Sequence, residues 1–450
     1  SVNAETGSTA LHFAAFYGHL NCVKALVKAP GIKVNQQEYH NGYNALHVAA
    51  LKGHPECIEA LLKALGIKVN QQEYHNGYNA LHVAALKGHP ECIKALLKAP
   101  RIDVNQGDND GYTALHAAAQ EGHPECIEVL VKAPGIDVNK GNNRGVVALH
   151  AAAQEGHPEC IKVLVKVPGI KVNQQEYHNG YNALHAAALK GHPECIEALL
   201  KAPDIDVNKV NDDGYTALHA AAQEGHPECI EVLVKVPGID VNKGTRIGTT
   251  ALHAAALKGH LNCVKALLEA PDIDVNKGNE DGYTALHAAA QEGHPECIEV
   301  LVKAPGIDVN KVNKDGYTAL HAAALKGHLN CVKALLEAPD IDVNKGNEDG
   351  YTALHAAAQE GHPECIEVLV KAPGIDVNKV NKDGYTALHA AALKGHLNCV
   401  KALLEAPDID VNKGNEDGYT ALHAAAQEGH LNCVKALLEA PGIDVNKVNK

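Results

Sequence analysis

The triplet Ala-Leu-His recurs thirteen times, with its leucine at Leu11, Leu46, Leu81, Leu115, Leu149, Leu184, Leu218, Leu252, Leu286, Leu320, Leu354, Leu388 and Leu422. Consecutive copies stand 34 or 35 residues apart along all 450 residues. A fixed period of this length means one supersecondary unit copied and stacked, rather than the about three separate domains that length alone suggests. Units start near residues 7, 42, 77, 111, 145, 180, 214, 248, 282, 316, 350, 384 and 418, and a single array over 1–450 is the expected organisation. Hydrophobic residues make up 46% of the chain, yet there are two Phe and no Trp or Met. The core must therefore be built from Ala, Leu, Val and Ile, small side chains that let thin elements stack closely.

Residues 313 to 349, NKDGYTALHAAALKGHLNCVKALLEAPDIDVNKGNED, serve as a specimen. Thr318 suits an N-cap, since its hydroxyl can accept an orphan N–H of the first turn, and the Ala-rich run after it has high helix propensity. Gly327 ends that helix. From Leu329, apolar Val332, Leu335 and Leu336 follow an i, i+3, i+4 pattern, and Pro339 stops the second helix. Ile341 and Val343 then alternate with Asp342 and Asn344, and a turn-prone segment runs to Gly350, which predicts an extended finger. The few apolar side chains of one such unit cannot offset the entropy of ordering its backbone, so each unit must lean on the next.

A period of 34 also occurs in tetratricopeptide repeats, but there two longer helices fill most of the unit, and PDIDVNKGNEDG cannot be helical. The pattern G-Y-T-A-L-H-A-A-A-x-x-G-H-x-x-C-[IV]-x-x-L-[LV], followed by D-V-N, closely resembles the ankyrin repeat over essentially the whole chain. It departs from that family in having Ala where Pro usually stands between Thr and Leu, and in a link one residue longer. The resemblance implies an all-α repeat solenoid of helix-turn-helix units with extended β-like fingers, arranged as a curved superhelical array. Ala-rich first helices opposite Ile-, Val- and Leu-rich second helices predict curvature toward the first-helix side.

The stretch HAAAQEGHPEC, first met at residues 116–126, offers two histidines and a cysteine in each of several repeats. His116 and His123 are seven residues apart, about 10.5 Å along a helix at about 1.5 Å per residue, too far for one zinc ion. No metal site is expected. The resemblance instead implies a structural hydrogen-bonding role for His116, with His123 at the turn into the second helix. The thirteen cysteines, Cys22 to Cys433, fall once per unit at one position. In-register neighbours about 8–10 Å apart exceed the about 7 Å disulfide limit, so buried free thiols and a reducing, cytoplasmic compartment are expected. Thirteen copies of one nucleophile without a distinct cleft do not make an active site, so neither catalytic residues nor a cofactor is expected.

A formal charge of -14 without a run of Lys and Arg disfavours nucleic acid as a partner. No stretch approaches the about 18 to 20 apolar residues of a membrane span. The chain opens at Ser1 without Met and stops in a finger at Lys450, which suggests a piece of a longer protein. From residue 252 the period doubles, residues 252–319 being identical to 320–387. Charges alternate between neighbouring repeats there, as in Lys265, Glu299, Lys333, Glu367 and Lys401. Either lateral charge ladders that favour correct register or plain duplication accounts for this.

Partner binding, as the resemblance implies, uses finger tips and first-helix positions on the concave side. Candidate contact residues are Tyr43, Tyr78, Tyr112, Tyr181, Tyr215, Tyr283, Tyr317, Tyr351, Tyr385 and Tyr419 at the finger-to-helix junction. A tyrosine ladder can anchor a partner or pack on neighbouring fingers. Arg144 and Arg246 interrupt the pattern in NNRGVVALH and GTRIGTTALH, and Phe13, Phe16 and Tyr17 mark the first repeat alone. The expected function is a non-catalytic scaffold for a protein or extended peptide. A mechanical spacer within a larger protein is the alternative, as is an array that self-associates end to end through a C-terminal repeat, LNCVKALL, whose outer face is as apolar as an internal one.

Overall fold

The computed structural model describes residues 5–448. Among them 26 short α-helices follow one another in pairs, each pair joined to the next by a finger. The chain divides into two compact units, Ser1–Glu224 with Lys235–Ile239, and Gly225–Val234 with Asp240–Lys450. Within each unit every first helix packs on the first helices of neighbouring repeats, and second helices do likewise. The fold is an all-α repeat solenoid.

Local chemistry sets each helix. In the specimen repeat the first helix is Ala319–Lys326, and Thr318 Oγ1 accepts the His321 N–H at 3.4 Å. Gly327 closes it at φ 72°, a left-handed conformation that L side chains disfavour. The second helix, Leu329–Leu336, ends before Pro339. Where Pro replaces Leu at the start, as in Pro363–Leu369, it occupies the first helical turn, where no N–H is needed. Ala323, Ala324, Val332 and Leu335 are fully buried, and the methyl-sized first-helix residues let neighbouring backbones approach closely. The repeat beginning near residue 145 lacks the hydroxyl cap: Val147 is buried, and only its backbone N–H reaches His150 Nδ1, at 3.2 Å. Val147→Thr, nearly the same in shape, should therefore raise the urea midpoint by an amount worth about 1 kcal/mol.

The fingers differ from the β-like expectation. Among the described residues they are turns and extended segments without strand ladders; the pairing of Gly414 with Thr420 is an isolated bridge. Most fingers share about one backbone bond with a neighbour at the tip, as from Lys382 N–H to Asp349 O at 2.8 Å, too few for a sheet. The charge ladders also fail to form. Lys98 Nζ reaches Glu59 of the preceding repeat at 2.5 Å, but along a diagonal one helical turn off register. That diagonal, carried to the later repeats, joins Lys265 to Lys303 and Glu299 to Glu337, which are like charges. None of the alternating residues makes an ion pair among the described residues, and the remaining pairs, Lys94–Glu91 and Lys162–Glu159, lie within single helices.

Twelve of the thirteen cysteines are buried free thiols, as expected; Cys22, which has no described repeat before it, is exposed. In the C-terminal repeat Leu431 and Leu438 are likewise exposed.

Candidate functional site

In most repeats the histidine of the Ala-Leu-His triplet is buried and joins two repeats; His423, in the last triplet, is half-buried and held by Thr420 of its own repeat. His321 Nε2 donates to the carbonyl of Tyr351, in the next repeat, at 2.8 Å. Its Nδ1 accepts the Thr318 N–H at 3.1 Å and faces the Thr318 hydroxyl at 2.8 Å. A single neutral tautomer satisfies all of these, and a proton on Nδ1 would oppose the Thr318 N–H. Burial pushes His47, His116, His185 and His321 down to about 4, against the smaller opposing pull of the carbonyl on Nε2. His116 is engaged in the same way, by Thr113 and by the Val146 carbonyl, which leaves no lone pair for a metal. No group of three or more His, Cys, Asp or Glu able to hold an ion occurs among the described residues.

In most repeats the second histidine points backward. His362 Nε2 donates to Leu325 O at 3.1 Å, and its ring covers the face of Gly327. A third clamp comes from the Asn of Asp-Val-Asn: Asn344 Nδ2 donates to Gly374 O at 2.7 Å, while Asn344 Oδ1 accepts the Asp376 N–H at 2.8 Å. Burial pushes Cys92, Cys126, Cys160, Cys195, Cys263, Cys331 and Cys399 up to about 12, which keeps these seven as thiols.

Three repeats cap the first helix with Asn instead of Thr. Asn182 Oδ1 accepts the His185 N–H at 3.0 Å, and it also stands 2.6 Å from His185 Nδ1, where Thr would offer a hydroxyl proton. The Asn182 amide nitrogen is buried without a partner. Asn182→Thr should remove both mismatches and stabilise the chain by about 1–2 kcal/mol in a urea melt.

All ten junction tyrosines are half-buried. Each ring lies against the histidine four residues on in its own repeat, with centroids 5.3 Å apart for Tyr283 and His287 and 5.4 Å for Tyr317 and His321. The remaining ring surface lines shallow clefts on the first-helix and finger side. One, of about 210 Å³, lies between Tyr283 and Tyr317, with Gln291, Asp315 and Lys326 at its walls. Its copy, of about 190 Å³, lies 68 residues on between Tyr351 and Tyr385, with Gln359, Asp383 and Lys394.

Arg144 and Arg246 are exposed at finger tips, and they do not share a cleft with these tyrosines. The Arg144 carbonyl accepts Tyr177 N–H at 2.8 Å. Three fingers, QQEYHNGYN at 36, 71 and 174, are one residue longer and carry additional tyrosines, Tyr39, Tyr74 and Tyr177; Tyr74 packs on the preceding finger, its N–H donating to Asn41 O at 3.0 Å with its ring over Gly42. Phe13, Phe16 and Tyr17 are exposed and line a larger concavity with Tyr43.

Sequence reading missed the residues that shape the fingers. Asn313 Oδ1 accepts the N–H groups of Asp315 and Tyr317 at 3.1 and 2.8 Å. In the long fingers Glu38 takes this place, accepting the His40, Asn41 and Tyr43 N–H groups at 2.8, 2.6 and 3.2 Å. Burial raises the Glu38 carboxyl, but those three N–H groups outweigh it and hold it below its ordinary range. The signal was present as Asn four residues before each Tyr in most units, and as Glu five before in the long ones.

The family model described as ankyrin repeats (3 copies) matches residues 1–73, 69–142, 149–245, 238–313, 305–381 and 371–449. No curated protein matches the chain. Among solved structures, the crystal structure of the ankyrin repeat domain of Bcl-3, titled a unique member of the IkappaB protein family, is similar at 28% identity. It aligns over 50% of this chain and 99% of its own, with a TM-score of 0.45. With family-model matches running almost end to end over repeats whose histidines, glycines and asparagines clamp one unit to the next, the chain belongs to the ankyrin repeat family.

Proposed function

We propose that the chain is a non-catalytic scaffold that presents its first-helix and finger surface to a protein or extended peptide. Ankyrin repeats are in general protein–protein interaction modules, and one observation supports the finer reading: the clefts beside Tyr283 and Tyr351 recur 68 residues apart with the same wall residues. Tyr offers a large, stiff contact surface with a polar tip, and Gln, Asp and Lys at the walls offer hydrogen bonds and charge. A partner that fills both clefts would be extended and would carry its own repeat. The raised thiol of Cys331 and the neutral, doubly bonded ring of His321, and their repeated counterparts, are poorly placed as nucleophile and base, which supports a role without catalysis. No described helix is long and apolar enough to cross a membrane. Buried free thiols fit a reducing, cytoplasmic setting.

A photo-crosslinking amino acid at position 317 or 351 tests this in cells. Protein adducts from both positions, but not from position 333 on the exposed side of the second helix, are expected. Equal yields at all three would remove the reading. A spacer role is the second reading, favoured by the identity of residues 252–319 with 320–387; it gains if no position yields adducts.

A further inference from the structure

We infer that the first two repeats hold a docking pocket for an acidic polypeptide segment bearing one aromatic or branched aliphatic anchor, an inference that rests on the protein-binding reading above. A concavity of about 360 Å³ lies between the first helices of these repeats and their fingers. That is within the about 300–1,000 Å³ of built ligand sites. Its walls are Phe13, Phe16 and Tyr17 from one repeat and Tyr43, Val48 and Leu51 from the next. Phe13 is 49% exposed, Phe16 38% and Tyr17 62%. Phe13 and Phe16 on the helix Ala10–Phe16, with Tyr17 at its C-cap, put three aromatic rings into one wall, which is what a desolvated contact needs at its centre.

The trio is confined to this repeat. The same positions hold Val48, Leu51 and Lys52 in the second repeat and Val83, Leu86 and Lys87 in the third. Folding does not require the aromatics, because those repeats form the same helices without them. The rings are nevertheless ordered into a platform: Phe16 and Tyr17 meet edge to face at 5.0 Å, and the Lys52 ammonium sits 4.4 Å from the Phe16 centroid.

Charge selects the anchor's neighbours. Residues 1–105 carry ten Lys and Arg against seven Asp and Glu, a net +3 in a chain whose total is -14. Lys52 stands at the pocket with no carboxylate partner among the described residues, and Lys87 repeats its position one unit on. The one carboxylate in the wall, Glu38, is buried and taken up by the three finger N–H groups. His40, also in the wall, is exposed. Seven later fingers carry an acid near their tips, Asp110, Asp213, Asp281, Asp315, Asp349, Asp383 and Asp417, two of them beside Lys314 and Lys382, while Arg144, Asn179 and Ile247 take this place in the other three. The QQEYHNGYN fingers at 36 and 71 carry no second acid. An acidic segment therefore finds attraction and an aromatic seat together in these first repeats.

Selection of a random dodecapeptide library against the full chain tests the inference. Enriched peptides are expected to be net negative and to share a Phe, Leu or Ile. Their affinity should fall at least about tenfold when Phe13→Val, Phe16→Leu and Tyr17→Lys are combined, a variant that holds the residues of the second repeat. It should also fall with Lys52→Glu plus Lys87→Glu, and with added salt. Circular dichroism melts confirm that each variant is folded. Neutral or basic winners, or winners indifferent to the triple variant, would overturn the pocket. If such winners instead lose affinity on Tyr317→Ala or Tyr351→Ala, the scaffold reading survives and only the pocket falls. If no peptide is enriched, the pocket falls, and crosslinking at positions 317 and 351 decides the scaffold reading. Binding of phosphatidylserine vesicles that is abolished by the triple variant, with no peptide enriched, would replace the polypeptide by a membrane surface and overturn the inference.

Discussion

Lowering the pH from about 6.5 to about 4 is expected to unfold the protein in a steep, many-proton transition. The interface histidines are buried and neutral, and burial holds His47, His116, His185 and His321 at about 4, against an ordinary value of 6.5. His12, His82, His150, His253, His287, His355 and His389 are lowered for the same first reason. Between 6.5 and about 4 the unfolded chain binds protons on these rings and the folded chain does not. Stability is therefore unaffected by them above 6.5 and declines as the pH falls through that window. At about 1.4 kcal/mol per pH unit for each group, the four lowest rings alone remove on the order of 10 kcal/mol. That rivals the whole stability of an ordinary domain. Urea midpoints at half-unit pH intervals check this, with proton uptake on unfolding measured alongside. A midpoint unchanged between pH 7 and 5 would show that these rings are not held neutral.

Gly327→Ala should destabilise far more than Gly306→Ala, although the two glycines share nearly the same backbone angle, φ 72° and 75°. At Gly306 an added Cβ meets nothing within 4 Å, so only the left-handed conformation is penalised, by about 1–2 kcal/mol. At Gly327 the Cβ would run into the imidazole of His362. The ring must shift, and its bond to Leu325 O at 3.1 Å goes with it. Losing a partly buried bond and its packing adds roughly 1–3 kcal/mol, for a total of about 2–5 kcal/mol. Chemical denaturation of the two variants side by side reads the difference directly. Equal losses would mean that the His362 contact contributes nothing.

Much of the scaffold was legible because its signals are local. Thr318, Gly327 and Pro339 mark helix boundaries through their own backbone chemistry, and the structure places the helix ends there. The distance between His116 and His123 sufficed to argue against a shared ion, and burial of the cysteines followed from their fixed place in the repeat. What escaped depends on geometry between repeats. The pairing of Lys98 with Glu59 runs off register, and nothing in one repeat tells whether neighbours meet straight across or along a diagonal. The finger caps Asn313 and Glu38 were missed because the reading weighed the fingers as surface, where their side chains in fact fold back on the backbone. The tyrosines were left between anchor and packing, and their placement has both aspects, one face on a histidine and another lining a cleft.

The central claim is that repeats here are held by their neighbours, through histidine, asparagine and glycine contacts made across each boundary. Hydrogen exchange of the full chain with and without Gly327→Ala, followed by mass spectrometry at pH 7, tests it most directly. Protection should be lost together in the peptides on both sides of the disturbed boundary, residues 316–349 and 350–383, and should recover with distance from it. Loss confined to residues 316–349, with the next repeat as protected as before, would contradict the claim.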